Sequence, residues 1–188
     1  LEADRVELFN LKGKKVRRAV KTINWSLAMT EKGGFKHFML KEIFEQPKAI
    51  QDTLSGRLGN RHRSVDLPEL EKIFPNKKNP FDKIYIVACG TSYHAGMVGK
   101  YMIESMANLP VIVDLASEFR YRKPVVDNKT LMVTISQSGE TADTLAVVKM
   151  ARQKKAKVLS ICNVIDSSIP RSSDATIYTH AGPEIGVA

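Results

Sequence analysis

The chain has 188 residues, of which 43% are hydrophobic and 26% are charged. These proportions are typical of a folded globular protein, and they exclude a disordered chain, a collagen or a coiled coil over the whole length. The chain carries 29 Lys and Arg against 20 Asp and Glu, a formal net charge of +9, which raises the question of nucleic-acid binding. No apolar run approaches the roughly 20 residues that span a bilayer, so we expect no membrane partner.

The excess positive charge lies in the N-terminal part of the chain. Residues 1–80 contain 17 Lys and Arg against 10 Asp and Glu, whereas residues 81–188 contain 12 against 10. The densest basic cluster, residues 12–18, has no aromatic residues interleaved with it, unlike the stacking platforms that bind single strands. We therefore interpret the cluster as a solvated surface and expect no nucleic-acid partner.

The two cysteines, Cys89 and Cys162, are 73 residues apart. This spacing matches neither a disulfide framework nor a metal cluster, and no histidines stand at metal-ligand spacing. We interpret both cysteines as buried thiols that close strands. The sequence therefore predicts a reduced, cytoplasmic protein without a metal or cofactor.

The predicted elements of the first eighty residues are a hairpin and then helices. Residues 1–24 have the pattern of a β-hairpin that has nothing to pack against. Apolar residues three to four apart predict a helix over residues 35–58, which Pro47 is expected to end, to kink or to divide in two. A short amphipathic piece follows at residues 67–74, and residues 75–80 have the composition of a turn.

Beyond residue 80, strands alternate with helices. Continuous apolar runs predict five strands, at residues 83–89, 111–114, 130–135, 157–162 and 175–178. Helical patterns lie between them, at residues 91–107, 117–121 and 140–154. In the first of these helices we expect one buried side made of Tyr93, Met97, Tyr101, Ile103 and Met106. The alternation predicts βαβ units, hence an α/β fold whose parallel sheet is covered on both faces.

Two loops that follow predicted strands are rich in hydroxyl groups. The first contains Thr91 and Ser92, and the second contains Ser136, Gln137, Ser138 and Thr141. In a parallel α/β sheet, ligands bind beyond the carboxyl ends of the strands, and the start of a helix there offers free amides and a favourable dipole to an anion. So many neutral donors suit a phosphate monoester. The alternative is that Thr91 and Ser138 only cap their helices.

The motifs that other ligands require are absent. The sequence has no Gly-x-x-x-x-Gly-Lys-[Ser/Thr] and no Gly-x-Gly-x-x-Gly after the first strand, which disfavours a P-loop nucleotidase and a dinucleotide site. It also lacks the Gly-x-Ser-x-Gly elbow, so Ser138 is a poor candidate for a hydrolase nucleophile.

Several segments together resemble one protein family. They read IVACGTSY, ASEFRYR, SQSGETADT, ICNV and EIGVA, at residues 86–93, 116–122, 136–144, 161–164 and 184–188. In order and spacing they are similar to the sugar isomerase (SIS) domain of the isomerising glutamine–fructose-6-phosphate aminotransferase family, the glucosamine-6-phosphate synthases. The resemblance implies a doubly wound, flavodoxin-like sheet of about five strands, with helices on both faces and a helical linker before it.

The resemblance also implies that the chain has three parts. Residues 1–24 would be the tail of a glutaminase domain, residues 25–80 a helical linker, and residues 81–188 the first SIS domain. The segment KEIFEQP at residues 41–47 looks like the passage between the two domains of the family. Because the chain stops where Pro183 would open another helix, we expect the SIS domain to be incomplete at its C-terminus.

Members of this family convert fructose 6-phosphate and glutamine to glucosamine 6-phosphate and glutamate, for amino-sugar biosynthesis. By resemblance, this part would bind the sugar phosphate through Thr91, Ser92, Ser136, Gln137, Ser138, Thr141 and Val187. The family's catalytic groups are an N-terminal cysteine and a glutamate, a lysine and a histidine of a second SIS half. None has a counterpart here, so we expect no catalytic residue in this chain, no activity from it alone, and a homodimer as in the family. His94 has no assigned role.

Two other functions stay open. SIS domains also act as sugar-phosphate-sensing regulatory modules, usually beside a DNA-binding helix-turn-helix, although no basic recognition helix is visible in this sequence. A stand-alone phosphosugar isomerase would need its own general base near the loops, for which Glu140 and Glu184 are the candidates.

Overall fold

A computed structural model describes residues 6–19, 30–59 and 64–186 of the chain. The first element that it describes is a small hairpin. Its antiparallel strands are β1 (Leu8–Phe9) and β2 (Lys15–Val16). The side chain of Asn10 closes the turn by accepting two backbone N–H groups, from Lys12 and Lys14, both at 3.0 Å. The hairpin prediction is confirmed for the described residues, and its apolar residues Leu8, Phe9 and Leu11 are exposed.

Helix α1 (Phe38–Leu54) follows, and Pro47 lies inside it. The helix neither ends nor divides there, although proline cannot donate the backbone hydrogen bond to Ile43. Hydrogen bonds at both ends of α1 hold it to a distant segment, because the Glu42 carboxylate accepts from the Ile185 N–H and the Thr53 hydroxyl donates to the Thr179 carbonyl. Two short 3₁₀ helices, Pro68–Lys72 and Pro75–Lys77, occupy the region predicted as an amphipathic piece and a turn.

The centre of the fold is a parallel five-stranded sheet. Its strands are β3 (Lys83–Ala88), β4 (Val111–Leu115), β5 (Thr130–Ser136), β6 (Lys157–Cys162) and β7 (Ala175–Tyr178). They lie in the order β4-β3-β5-β6-β7, which is the doubly wound, flavodoxin-like arrangement. This order confirms the predicted fold class. The strands are buried apolar runs, so the sheet needs helices over both of its faces.

Four helices accompany the sheet: α2 (Gly90–Ala107), α3 (Ala116–Phe119), α4 (Ala142–Gln153) and α5 (Ser168–Ser172). On one face, residues of α3, α4 and α5 pack in a core that includes Phe119, Met132 and Val147. On the other face, α2 and the 3₁₀ region pack over Ile84 and Ile86. The sequence did not predict α5, which has five residues and no helical period to detect. Among the described residues, no helix is long and apolar enough to cross a membrane.

Helix α2 faces the sheet differently from the prediction. Of its residues, all described, only Gly96 is buried. A Cβ at that position would lie 2.8 Å from Cγ2 of Ile86, so the helix meets the sheet through a glycine. Three residues expected on the buried side are instead exposed, namely Met97 (41%), Tyr101 (69%) and Met106 (74%). That prediction is wrong for these three because the close glycine contact turns the larger side chains outward.

Candidate functional site

The two hydroxyl-rich loops leave the sheet side by side. β3 and β5 are neighbours in the sheet, whereas β4, which lies between them in the sequence, pairs on the opposite side of β3. The two strands also end level, since Ala88 pairs with Ile135. Neighbouring strands are about 4.8 Å apart, so residues 89–92 and 136–141 flank one crevice. This topological switch point is where open α/β sheets bind ligands. We keep the name loop after β3 for residues 89–92, although residues 90–92 form the first turn of α2.

The loop after β5 is tied together by its own hydroxyl groups. Ser136 is buried, and its Oγ accepts a hydrogen bond from the Gly139 N–H at 3.0 Å. The same Oγ lies 3.4 Å from Oγ1 of Thr141. Ser138 Oγ accepts from the Glu140 N–H at 3.2 Å. The loop therefore holds three hydroxyl groups in a fixed arrangement before any ligand arrives.

The same loop is also held from outside by the segment after β6. The Gln137 carbonyl accepts from the N–H groups of Asn163 and Val164, each at 3.2 Å, and the Gly139 carbonyl accepts from Ile169 N–H at 2.9 Å. These two carbonyls are therefore engaged with residues 163–169 and are not free to bind a cation, which favours an anion as the ligand of this loop.

Gly139 is the residue that permits this packing. Its φ is +66°, and a Cβ there would lie 1.9 Å from Oγ of Ser167 and 2.8 Å from Sγ of Cys162. A side chain at this position is excluded both by the left-handed backbone and by the close neighbours.

The loop after β3 is more open. Gly90 has φ of +58°, Thr91 is exposed and Ser92 is half-buried. Cys89 is the N-cap of α2 and makes no side-chain capping hydrogen bond. The first amides of α2 therefore have no side-chain acceptor from the cap and are suited to a ligand.

The capping alternative is wrong for both hydroxyl residues to which it applied. Thr91 lies within α2, one residue past its first. Ser138 lies ahead of α4, whose N-cap is Thr141, again without a side-chain capping hydrogen bond.

The structure brings six of the seven predicted ligand residues to this end of the sheet, namely Thr91, Ser92, Ser136, Gln137, Ser138 and Thr141. Val187 lies outside the described residues.

Asn163 is a positioning residue that the sequence did not single out. It is 7% exposed and follows β6 directly. Its Nδ2 donates to the Gly182 carbonyl at 2.6 Å, while its Oδ1 accepts from the Ala181 N–H at 2.8 Å and from Thr179 Oγ1 at 3.2 Å. With its own N–H on Gln137, Asn163 connects the loop after β5 to residues 179–182. The signal in the sequence that could have indicated Asn163 was a polar residue directly after a predicted strand.

The two glutamates considered as general bases have different surroundings. Glu140 lies before α4, not in its first turn as predicted, and accepts the Ser168 N–H at 2.7 Å. Hydrogen bonds from the side chain and backbone of Ser168, with help from Arg171, lower the pKa of Glu140, so this carboxylate is a structural acceptor and a weak base. Partial burial and the nearby Glu42 carboxylate raise the pKa of Glu184.

The cysteines differ as well. Cys162 is 1% exposed, and its Sγ lies 3.6 Å from both the Gln137 carbonyl and Ser167 Oγ, so the prediction of a buried thiol is confirmed. Burial raises the pKa of this thiol. Cys89 is only half-buried at the start of α2, so the same prediction is wrong there. Among the described residues, no group of three or more His, Cys, Asp or Glu could hold a metal ion.

A doubly wound parallel sheet with two such loops at its switch point defines a ligand-binding α/β domain of the flavodoxin-like class. The SIS domain model matches residues 80–188, and the chain belongs to the SIS domain family.

Longer proteins and a solved structure resemble the chain closely. It is 52% identical over 185 residues to glutamine--fructose-6-phosphate aminotransferase [isomerizing] of Clostridium tetani, covering 98% of the chain and 30% of that relative. It is 57% identical over 167 residues to the protein of the same name in Mycobacterium bovis, covering 88% of the chain and 26% of that relative. The C-terminal domain of glucosamine-fructose-6-phosphate aminotransferase from Francisella tularensis superposes with a TM-score of 0.75 at 46% identity, over 84% of this chain and 43% of that one.

Proposed function

We propose that the chain is the sugar-phosphate-binding part of a glutamine–fructose-6-phosphate aminotransferase. The complete enzyme converts fructose 6-phosphate and glutamine to glucosamine 6-phosphate and glutamate, for amino-sugar biosynthesis. Similarity to longer relatives of that name supports this proposal. The observation that carries it is the pair of hydroxyl-rich loops at the level ends of β3 and β5.

In this proposal, the loop after β5 holds the phosphate. Its hydroxyl groups and amides donate, with Gln137 as a further donor, and the start of α4 adds its dipole. Thr91 and Ser92 would contact both phosphate and sugar, with Val187 at the edge of the site. Such a site needs no lysine, which agrees with the small charge excess of residues 81–188.

The test uses the full-length protein that contains this chain. Ser138→Ala removes one hydroxyl of the loop, and we expect an affinity for fructose 6-phosphate about tenfold lower, as for one hydrogen bond to a charged group. Isothermal titration calorimetry measures it. Ser172→Ala is the matched control, because Ser172 lies away from the loop, towards the opposite end of the sheet. Ser172 ends α5, and the N–H of residue 174, just beyond it, donates to a carbonyl near the start of β6. Binding of fructose as tight as that of fructose 6-phosphate would contradict the proposal.

Turnover separates the enzyme from its alternatives. We expect the full-length protein to form glucosamine 6-phosphate and this chain alone to form none. A protein that binds the sugar phosphate without turnover would instead be a sensor. The alternative of a stand-alone isomerase would need Glu184 as its general base, because the Glu140 carboxylate already accepts a hydrogen bond from Ser168. Isomerisation by the chain alone that Glu184→Gln abolishes would establish that alternative.

The proposal includes a cytoplasmic homodimer. Both cysteines are free thiols, as expected in a reducing compartment. The exposed apolar residues of α2, which include Tyr101 and Met106, are suited to contact with a second copy. Sedimentation of the full-length protein tests the dimer. We expect Met106→Glu to weaken it, and a monomeric wild type would contradict it.

A further inference from the structure

Helix α1 runs beside the chain segment that follows β7 and is bonded to it at both ends. Near the end of α1, Thr53 Oγ1 donates to the Thr179 carbonyl. Just beyond the helix, Arg57 Nη2 donates to the Tyr178 carbonyl at 2.8 Å. Near its start, Glu42 binds the other end of the segment. The end of β7 and residues 179–186 are therefore held along the length of α1.

Glu42 makes two of these contacts with a single oxygen. Its Oε1 accepts hydrogen bonds from the backbone N–H groups of Ile185 and Gly186, both at 2.7 Å. Hydrogen bonds to a carboxylate are shorter and stronger than those between neutral groups. One side chain of α1 therefore fixes two consecutive peptide groups of the segment.

Gly186 shows that the contact is close as well as polar. A Cβ on this residue would lie 2.9 Å from the Met39 backbone nitrogen and 3.0 Å from its Cα. Since backbone atoms of a helix cannot move aside as the end of a side chain can, the segment must carry glycine where it touches α1.

The clamped segment borders the candidate site. A cavity of about 100 Å³ is lined by residues of α1, including Glu42, together with Gln137, Asn163 and residues 181–184. Asn163 bonds the middle of the segment on one side and the Gln137 carbonyl on the other. A continuous set of contacts therefore joins Glu42 to the loop proposed to hold phosphate.

We propose that Glu42 is a positioning residue for the sugar-phosphate site. It holds residues 183–186 against α1, so that the segment supports the loop after β5. This inference rests on the proposed function. It makes α1, which precedes the part matched by the SIS model, a structural component of the binding site.

The experiment uses the full-length enzyme and two measurements. Glu42→Ala removes the acceptor, so the segment is ordered in only a fraction of molecules, and apparent affinity falls by that fraction. We expect the KM for fructose 6-phosphate to rise about tenfold while kcat changes little. Glu42→Gln keeps an acceptor oxygen and should restore most of the wild-type KM. Hydrogen exchange of the peptide containing residues 183–186 should accelerate in Glu42→Ala and much less in Glu42→Gln.

Matched controls separate the contact of Glu42 with Ile185 and Gly186, called the clamp, from general effects of substitution in the same helix. Glu45→Gln changes the same residue type one turn along α1, where the side chain is 52% exposed and pairs with Lys41 at 3.5 Å, and we expect a wild-type KM. Gly186→Ala tests the contact from the other side, and should raise KM as Glu42→Ala does. Its control is Gly99→Ala, where the nearest atom to the new Cβ is 3.8 Å away.

The outcomes distinguish this inference from the proposed function. A wild-type enzyme without activity on fructose 6-phosphate would refute the proposed function, while exchange still reports on the clamp. An active enzyme whose KM is unchanged in both Glu42→Ala and Gly186→Ala would overturn the positioning role, whatever the exchange shows. Equal effects of Glu42→Ala and Glu45→Gln would also overturn it, since the charge of the cavity would then explain both.

Discussion

The loops after β3 and β5 begin at the same level of the sheet, yet they are built in different ways. In the loop after β5, two serine hydroxyls accept backbone N–H groups, and the carbonyls of Gln137 and Gly139 are bonded to residues 163–169. In the loop after β3, Thr91 and Ser92 make no side-chain hydrogen bond to another described residue, and Thr91 is exposed.

In the proposed function, this difference would separate two tasks at one site. A preorganised set of donors binds charge without a further ordering cost, which suits the loop after β5 to the phosphate. Side chains that are free before binding must lose conformational freedom when they bind. The loop after β3 is therefore suited to contacts that form only around the correct sugar.

The largest expected effect comes from adding one methyl group to each loop. Gly139→Ala meets both a left-handed backbone and atoms of Ser167 and Cys162 within 2.8 Å, so we expect a loss of about 4 kcal/mol in the free energy of unfolding. Gly90→Ala has a similar φ of +58° but no atom within 4 Å, so about 1 kcal/mol is expected. Urea unfolding measures both, and equal losses would mean that the two loops are equally constrained.

A smaller effect comes from removing one hydroxyl group. Ser136→Ala leaves the Gly139 N–H without its acceptor in a buried loop, which costs about 2 kcal/mol. Ser92→Ala should change stability by less than about 0.5 kcal/mol, because its hydroxyl has no described partner. Thermal unfolding with and without fructose 6-phosphate tests the pair. A larger loss of stability from Ser92→Ala would reverse the comparison.

The smallest effect depends on pH. The pKa of Glu140 is lowered from 4.5 by its hydrogen bonds to Ser168. Its contribution is therefore present above pH 4.5 and is lost as pH falls through the lower folded-state value. We expect Glu140→Gln to reduce the Tm slightly at pH 7, because the carboxylate is exposed and screened, and the difference to vanish in acid. Glu71→Gln controls for the loss of one surface charge. A difference that grows in acid would contradict this account.

The sheet and the place of the candidate site in it were predictable from local sequence. Strands buried on both faces are continuous apolar runs, so the predicted ends of all five strands lie within one residue of the observed ends. The loop residues were predictable because glycine and hydroxyl residues lie at or just after the ends of two strands, as at Ser136 and Gly139. The carboxyl ends of parallel strands always meet at one edge of a sheet.

Long-range contacts were not predictable in the same way. Glu42 and Ile185 are 143 residues apart, and nothing in either neighbourhood specifies the other. The outward turn of Met97 and Tyr101 was missed because helical spacing alone does not show that a glycine, Gly96, faces the sheet. Glu140 was predicted to lie in α4, but it precedes that helix and accepts a hydrogen bond from the first residue of α5. Since the sequence did not predict α5, it could not show this role.

The glycine contact between α2 and β3 also makes the site adjustable from a distance. Gly96 lies about two turns beyond the start of α2, on the helix that presents Thr91 and Ser92. An alanine there would press its methyl group on Ile86, 2.8 Å away, and lift the helix from the sheet. Under the proposed function, Gly96→Ala would therefore shift Thr91 and Ser92 while every group proposed to touch the ligand keeps its identity.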